Sequence, residues 1–143
     1  MWLNQSNAWT QPLLRQATAQ WLNWLEKSAR MDSLEIRHFN QATRELLLAQ
    51  SSDWPFLLNA GTAGDYPSRR IQGHLANFNA LEAARHSTFG DLAELVRLES
   101  QNNPFQRLSP WKWVERGLQS SCENHWKAAC LKIPVQESLS NSV

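Results

Sequence analysis

Asp53 and Trp54 stand side by side in Ser51-Ser52-Asp53-Trp54-Pro55-Phe56, a carboxylate next to an indole where an apolar helical run breaks off. The pairing suits a pyranose ring, whose C–H groups pack on an aromatic face while its hydroxyls call for bidentate donors and acceptors. The same residues also have an architectural use, since Asp is a favoured helix cap and a Trp can plug the end of a bundle. Local chemistry leaves both uses open. Among the thirteen acidic residues, only Asp53 and Asp65 fall in polar turns beside an indole or a phenol. Most of the others sit on expected solvent-facing helix positions, where a solvated charge is the ordinary reading. His74, following Arg69-Arg70 on an expected helix, reads as a structural group that hydrogen-bonds across to the second helix or to a neighbouring domain. Cys122, His125 and Cys130 are irregularly spaced and have no fourth ligand nearby, so no metal site is expected. No phosphate loop, nucleophile elbow or zinc-protease motif occurs.

Positioning these residues falls to helices. Leu14, Ala17, Trp21, Trp24, Leu25 and Ser28 recur at three-and-four spacing and predict a helix over 11–30, with Thr10 and Pro12 at its start. Asp32-Ser33-Leu34-Glu35 has capping-box spacing, in which Asp32 accepts from first-turn amides and Glu35 reaches back. A second helix follows with Ile36, Phe39, Thr43, Leu46 and Leu47 inward, ending near Gln50. Pro55 fits the first turn of a short helix over 53–60, capped by Ser52 or Asp53 and stopped by Gly61. Gly61 to Asp65 reads as a turn. Pro67 then opens a long helix reaching about His86 with Ile71, Leu75, Phe78 and Leu81 on one face. Thr88 can cap a further helix with Leu92, Leu95 and Val96 inward, ending before Asn102-Asn103-Pro104. No segment alternates as a half-buried strand would. The expected fold class is all-α: an antiparallel bundle of three to four long helices plus one short one over 1–113, then an irregular tail, partly helical or disordered, over 114–143.

Composition narrows the function. The 143 residues suffice for one domain with a real core, and 42% hydrophobic with 19% charged residues argues for folding rather than disorder. Fourteen basic against thirteen acidic side chains leave a formal charge of +1, which provides no footprint for nucleic acid or an anionic membrane. No apolar run approaches the roughly 20 residues of a membrane span, and a cytoplasmic location is expected. If their segment is helical, Cys122 and Cys130 lie about 12 Å apart along the axis, too far to bridge. Eight tryptophans stand against one tyrosine; most indoles serve packing, so position must single out any that do more.

Several strings together resemble a known family. Trp2-Leu3-Asn4 followed by Asn7-Ala8-Trp9, the run from Glu45 to Phe56 with Gly61-Thr62, Arg69-Arg70 with His74 and Phe78, and Asn103-Pro104-Phe105 are similar to the C-terminal helical region of family 57 glycoside hydrolases, in particular their α-1,4-glucan branching enzymes. The resemblance covers residues 1–113. It implies a glucan cleft to which Trp2, Asp53 and Trp54 contribute, with Trp9 left to packing, and it implies no metal or organic cofactor. Such enzymes cut an α-1,4 linkage with retention and rejoin the donor through an α-1,6 linkage. Their nucleophile and acid/base belong to a barrel that precedes the Trp-Leu-Asn motif. Because Met1 stands at that motif, both catalytic groups are expected to be missing and the chain to be inactive alone, detached from its barrel. The expected partners are α-glucan and a separate barrel chain, or a second copy through an apolar face left uncovered. The alternative is a non-catalytic helical module that binds glucan or a protein through exposed indoles.

Overall fold

The computed structural model describes residues 3–27, 30–86, 92–104 and 109–112. All regular structure among them is helical: α1 (Thr10–Lys27), α2 (Ser33–Ala49), α3 (Asp53–Ala60), α4 (Tyr66–Ala84) and α5 (Leu92–Gln101). Packing divides the chain into residues 1–110 and 111–143. Of the second unit only Trp111 and Lys112 are described, so the expected tail, the two cysteines and His125 lie outside the described residues, as do Thr88 and Phe105.

Local chemistry sets the helix ends. The Asp32 carboxylate accepts from the Glu35 amide at 2.8 Å and starts α2 as the capping spacing predicts. The reciprocal half of that box does not form. Instead Glu35 accepts from Trp24 Nε1 at 3.2 Å, because a fully buried indole N–H needs a partner. α3 spans the residues expected, and Gly61 closes it at φ 66° while its N–H reaches the Leu57 carbonyl. Gly64, at φ 57°, completes the turn into α4, where Pro67 sits in the first turn. Neither Ser52 nor Asp65 makes a side-chain cap.

α2 is the central helix and packs most extensively on α4, with α1 and α5 on its flanks. Phe39 and Phe78 are completely buried, as are Trp24, Leu95 and Leu98; each large apolar side chain removed from water contributes about 1.5–3 kcal/mol. Trp24 meets Phe39 edge-on at 5.3 Å and Trp21 stacks on the same ring at 5.5 Å. The Trp21 indole donates to Thr43 Oγ1 at 2.8 Å, tying α1 to α2. Arg85 lies 5.5 Å above the Trp24 ring, which carries the tie on to the end of α4. Arg37 grips Glu99 with two parallel hydrogen bonds, and Asn40 donates to Ser109 Oγ at 3.0 Å. Thus α5 and the segment after it are held against α2.

Two of the expected inward positions point out. Leu47 is 43% and Val96 49% exposed. On α5 the inward pair is Leu95 with Leu98, and on α2 the space next to Leu46 belongs to a carboxylate.

Candidate functional site

The turn between α2 and α3 brings Asp53 and Trp54 to the surface. Trp54 is half-buried, and its Nε1 donates to the Leu48 carbonyl at 2.6 Å. That bond adds a further donor to a carbonyl in the last turn of α2, which also accepts from the Ser51 amide at 3.3 Å. It also uses the only polar atom of the indole, so the ring face and edge are all that remain for recognition. Tyr66, at the first position of α4, meets the ring edge-on at 6.1 Å. Tyr66 and Phe56 are themselves exposed, at 46% and 62%. Beside them Asp53 opens α3 as its first residue and is exposed; its backbone N–H faces Ser51 Oγ at 3.5 Å, and its carboxylate has no hydrogen-bond partner among the described residues. The capping use of Asp53 is therefore not realised, and the Trp54 side chain is pinned but not enclosed.

The N-terminal motif comes to the same end of the molecule. Asn4 accepts from the Ser6 amide at 2.9 Å and donates through Nδ2 to Asn59 Oδ1 at 2.6 Å. Asn7 is buried, accepts from the Asn4 amide at 3.0 Å, and offers its carbonyl to Thr10 Oγ1 at 2.8 Å. Both asparagines of the motif therefore shape a turn that leads into α1 and lies against α3. Trp9 donates to the Ser6 carbonyl at 3.1 Å. Trp2 lies outside the described residues.

Inside the bundle sits a polar node that the sequence reading did not single out. Glu45 is fully buried, and four side chains converge on its carboxylate. His74 Nδ1 lies 2.7 Å from Oε2 and Asn77 donates to the same oxygen at 3.3 Å. On Oε1, Asn102 donates at 2.9 Å and Gln41 at 3.1 Å. The Gln41 amide also reaches the carbonyls of Leu98 and Asn102, so it closes the C-terminal end of α5 from below. Burial pushes the Glu45 carboxyl up, but the bonds from His74, Asn102, Gln41 and Asn77 together outweigh it and hold the group below the ordinary glutamate range. The carboxylate orients His74 with Nδ1 as donor, and Nε2 finds no hydrogen-bond partner among the described residues. His74 thus hydrogen-bonds to the second helix as its position suggested, while exposed Arg69 pairs with exposed Asp65 at 3.2 Å. Glu45 opens the longest of the family-like strings, His74 belongs to another, and Asn102 adjoins a third; three separated stretches meet at one buried charge. Among the described residues no group of three or more potential metal ligands occurs.

The family model for the C-terminal region of 1,4-alpha-glucan branching enzymes matches residues 13–113. The chain belongs to that family. It is 34% identical over 109 residues to a 1,4-alpha-glucan branching enzyme of Thermococcus kodakarensis, and the aligned stretch covers 73% of this chain and 16% of that relative. The chain therefore corresponds to a small part of the curated relative's length. No solved structure matches it. The branching-enzyme match contains Asp53, Trp54 and the whole Glu45 node, while Trp2 and the asparagine turn precede its first residue. In this branching-enzyme C-terminal domain, then, the matched residues comprise both the exposed aromatic corner and the buried node beneath it.

Proposed function

We propose that this helical domain forms one wall of an α-glucan cleft in a 1,4-α-glucan branching enzyme, with Asp53 and Trp54 as sugar contacts and Trp2 joining them. The observation that carries the reading is the state of Trp54: its N–H is committed to the Leu48 carbonyl, its ring is partly open, and an uncommitted carboxylate stands beside it. A ring fixed in this way is a preorganised stacking surface, which lowers the ordering cost of binding. The Asn4–Asn59 bond supports the inclusion of Trp2, since it brings the N-terminal motif against α3.

Retaining chemistry on a glycosidic bond needs a carboxyl pair about 5 Å apart, and a lone exposed Asp53 is not one. The reacting carboxylates come from a catalytic barrel outside these 143 residues, and the domain acts with it. Exposed Leu47 and Phe56 supply apolar area for that partner, or for a second copy of the chain in its absence.

Isothermal titration of the purified chain with maltoheptaose tests the contacts. One wall buries only part of each sugar, so a millimolar Kd is expected. Trp54→Ala weakens binding about tenfold or more, equivalent to about 1.4 kcal/mol, while leaving the helical circular-dichroism signal unchanged. Equal affinities for the chain and the variant count against the reading.

A further inference from the structure

We infer that the groove between α1 and α4 is a second binding site for a neutral polyhydroxylated chain, separate from the Asp53–Trp54 corner. The two helices present matched stripes. From α1 come Leu13, Gln16, Ala17 and Gln20; from α4 come Gln72, Leu75, Ala76 and Asn79, at the same spacing of three, four and seven residues. Each helix therefore contributes one Leu, one Ala and two side-chain amides to a groove of about 230 Å³. Ala17 and Leu75 are buried and form its floor, and the small side chains of Ala17 and Ala76 keep it open.

The chemistry of the rim selects the ligand. None of the eight lining residues is charged, although solvent-facing helix positions are the usual place for Lys and Glu. Gln16, Gln72 and Asn79 are exposed and Gln20 is half-buried, and none of the four amides has a hydrogen-bond partner among the described residues. The amides of Gln41, Asn77 and Asn102, in contrast, are all committed to the Glu45 node. A side-chain amide offers a donor pair and an acceptor together, which is what vicinal hydroxyls require, and an apolar floor accepts ring C–H groups. A charged ligand would enter uncompensated, at a desolvation cost that the groove has nothing to offset. The volume suits one or two sugar rings of a longer chain rather than a drug-sized molecule. That the polyol is an α-glucan rests on the reading proposed above; that the groove takes an uncharged polyol does not.

The test is a titration of the isotopically labelled full chain with maltoheptaose, followed through the side-chain amide resonances of Gln and Asn. The expected result is saturable movement of the Gln16, Gln20, Gln72 and Asn79 signals with a millimolar Kd. The movement should persist in Trp54→Ala and weaken about tenfold or more in Ala76→Arg, an exposed helical position where a cation fills the groove without disturbing the core. Titration with a neutral non-glucan oligosaccharide runs in parallel. Movement with that sugar but not with maltoheptaose retains the polyol site and removes the glucan assignment. Movement in the groove with none at Trp54 retains this site and overturns the other. If the four amides stay still with every sugar, or shift only with protein concentration because a second copy docks there, the inference is wrong.

Discussion

At the scale of single residues, the central fact is that a carboxylate rather than a leucine lies at the heart of the bundle. Residue type alone ranks Leu47 inside and Glu45 outside, but the two lie about 200° apart around α2, so only one of them can face inward. The structure reverses them because Glu45 meets His74, Asn77, Gln41 and Asn102 at once, a convergence from three helix regions that no local pattern encodes. Removing one partner of such a node strands the others in a dry interior. Glu45→Ala should therefore cost about 3–5 kcal/mol in urea unfolding, far more than truncating an exposed residue. The pH dependence follows from the depressed carboxyl. Its contribution is fully present above the ordinary glutamate value of about 4.3 and is lost as pH falls through the lower folded value, because only the unfolded chain takes up the proton readily in between. The stability gap between the parent chain and Glu45→Gln should thus narrow when pH is lowered from about 6 to about 3. A gap that stays constant across that range would show that His74 and the amides do not hold Glu45 ionised.

At the scale of elements, spacing and punctuation made most of the helices legible. The apolar repeats gave α1, α2 and α4 to within a few residues, and Pro55 with Gly61 bracketed α3 because those two residues act on the backbone itself. Helix ends are legible where one residue acts on the backbone locally, as Asp32 does by capping α2 and Gly61 by ending α3. Glu35 was read as the reciprocal cap, yet a tryptophan one helix away needed the acceptor more; tertiary demand of this kind is invisible to a local motif. On α5 the spacing places Leu95 and Val96 inward, and the structure keeps Leu95 but pairs it with Leu98, because Val96 and Leu98 differ little in hydrophobicity and contact with α2 decides between them. Gly61 offers an element-scale test. A Cβ there would meet nothing within 4 Å, but the residue holds φ 66°. Gly61→Ala should then cost about 1 kcal/mol from backbone strain alone, read as a lower urea midpoint with an unchanged slope, and Gly61→Asn should recover much of that loss.

At the scale of the whole molecule, the bundle is a framework that turns a helix break into a presented surface. The Glu45 node locks α2, α4 and the end of α5 together, α2 in turn fixes the Leu48 carbonyl, and that carbonyl holds Trp54 by its N–H. The candidate site was legible as a pair of residue types at a break; what the sequence did not contain was the carbonyl that orients the indole, or the failure of Asp53 to cap. The chain belongs to the branching-enzyme C-terminal family, and its aligned stretch covers 16% of the relative's length. The most direct measurement is branch formation from amylose by a separately purified catalytic barrel of a branching enzyme, with and without this chain. The expected result is a clear gain in branching when the chain is added and loss of most of that gain, about tenfold, with Trp54→Ala. No gain over the barrel alone, or a gain that Trp54→Ala leaves whole, would contradict it.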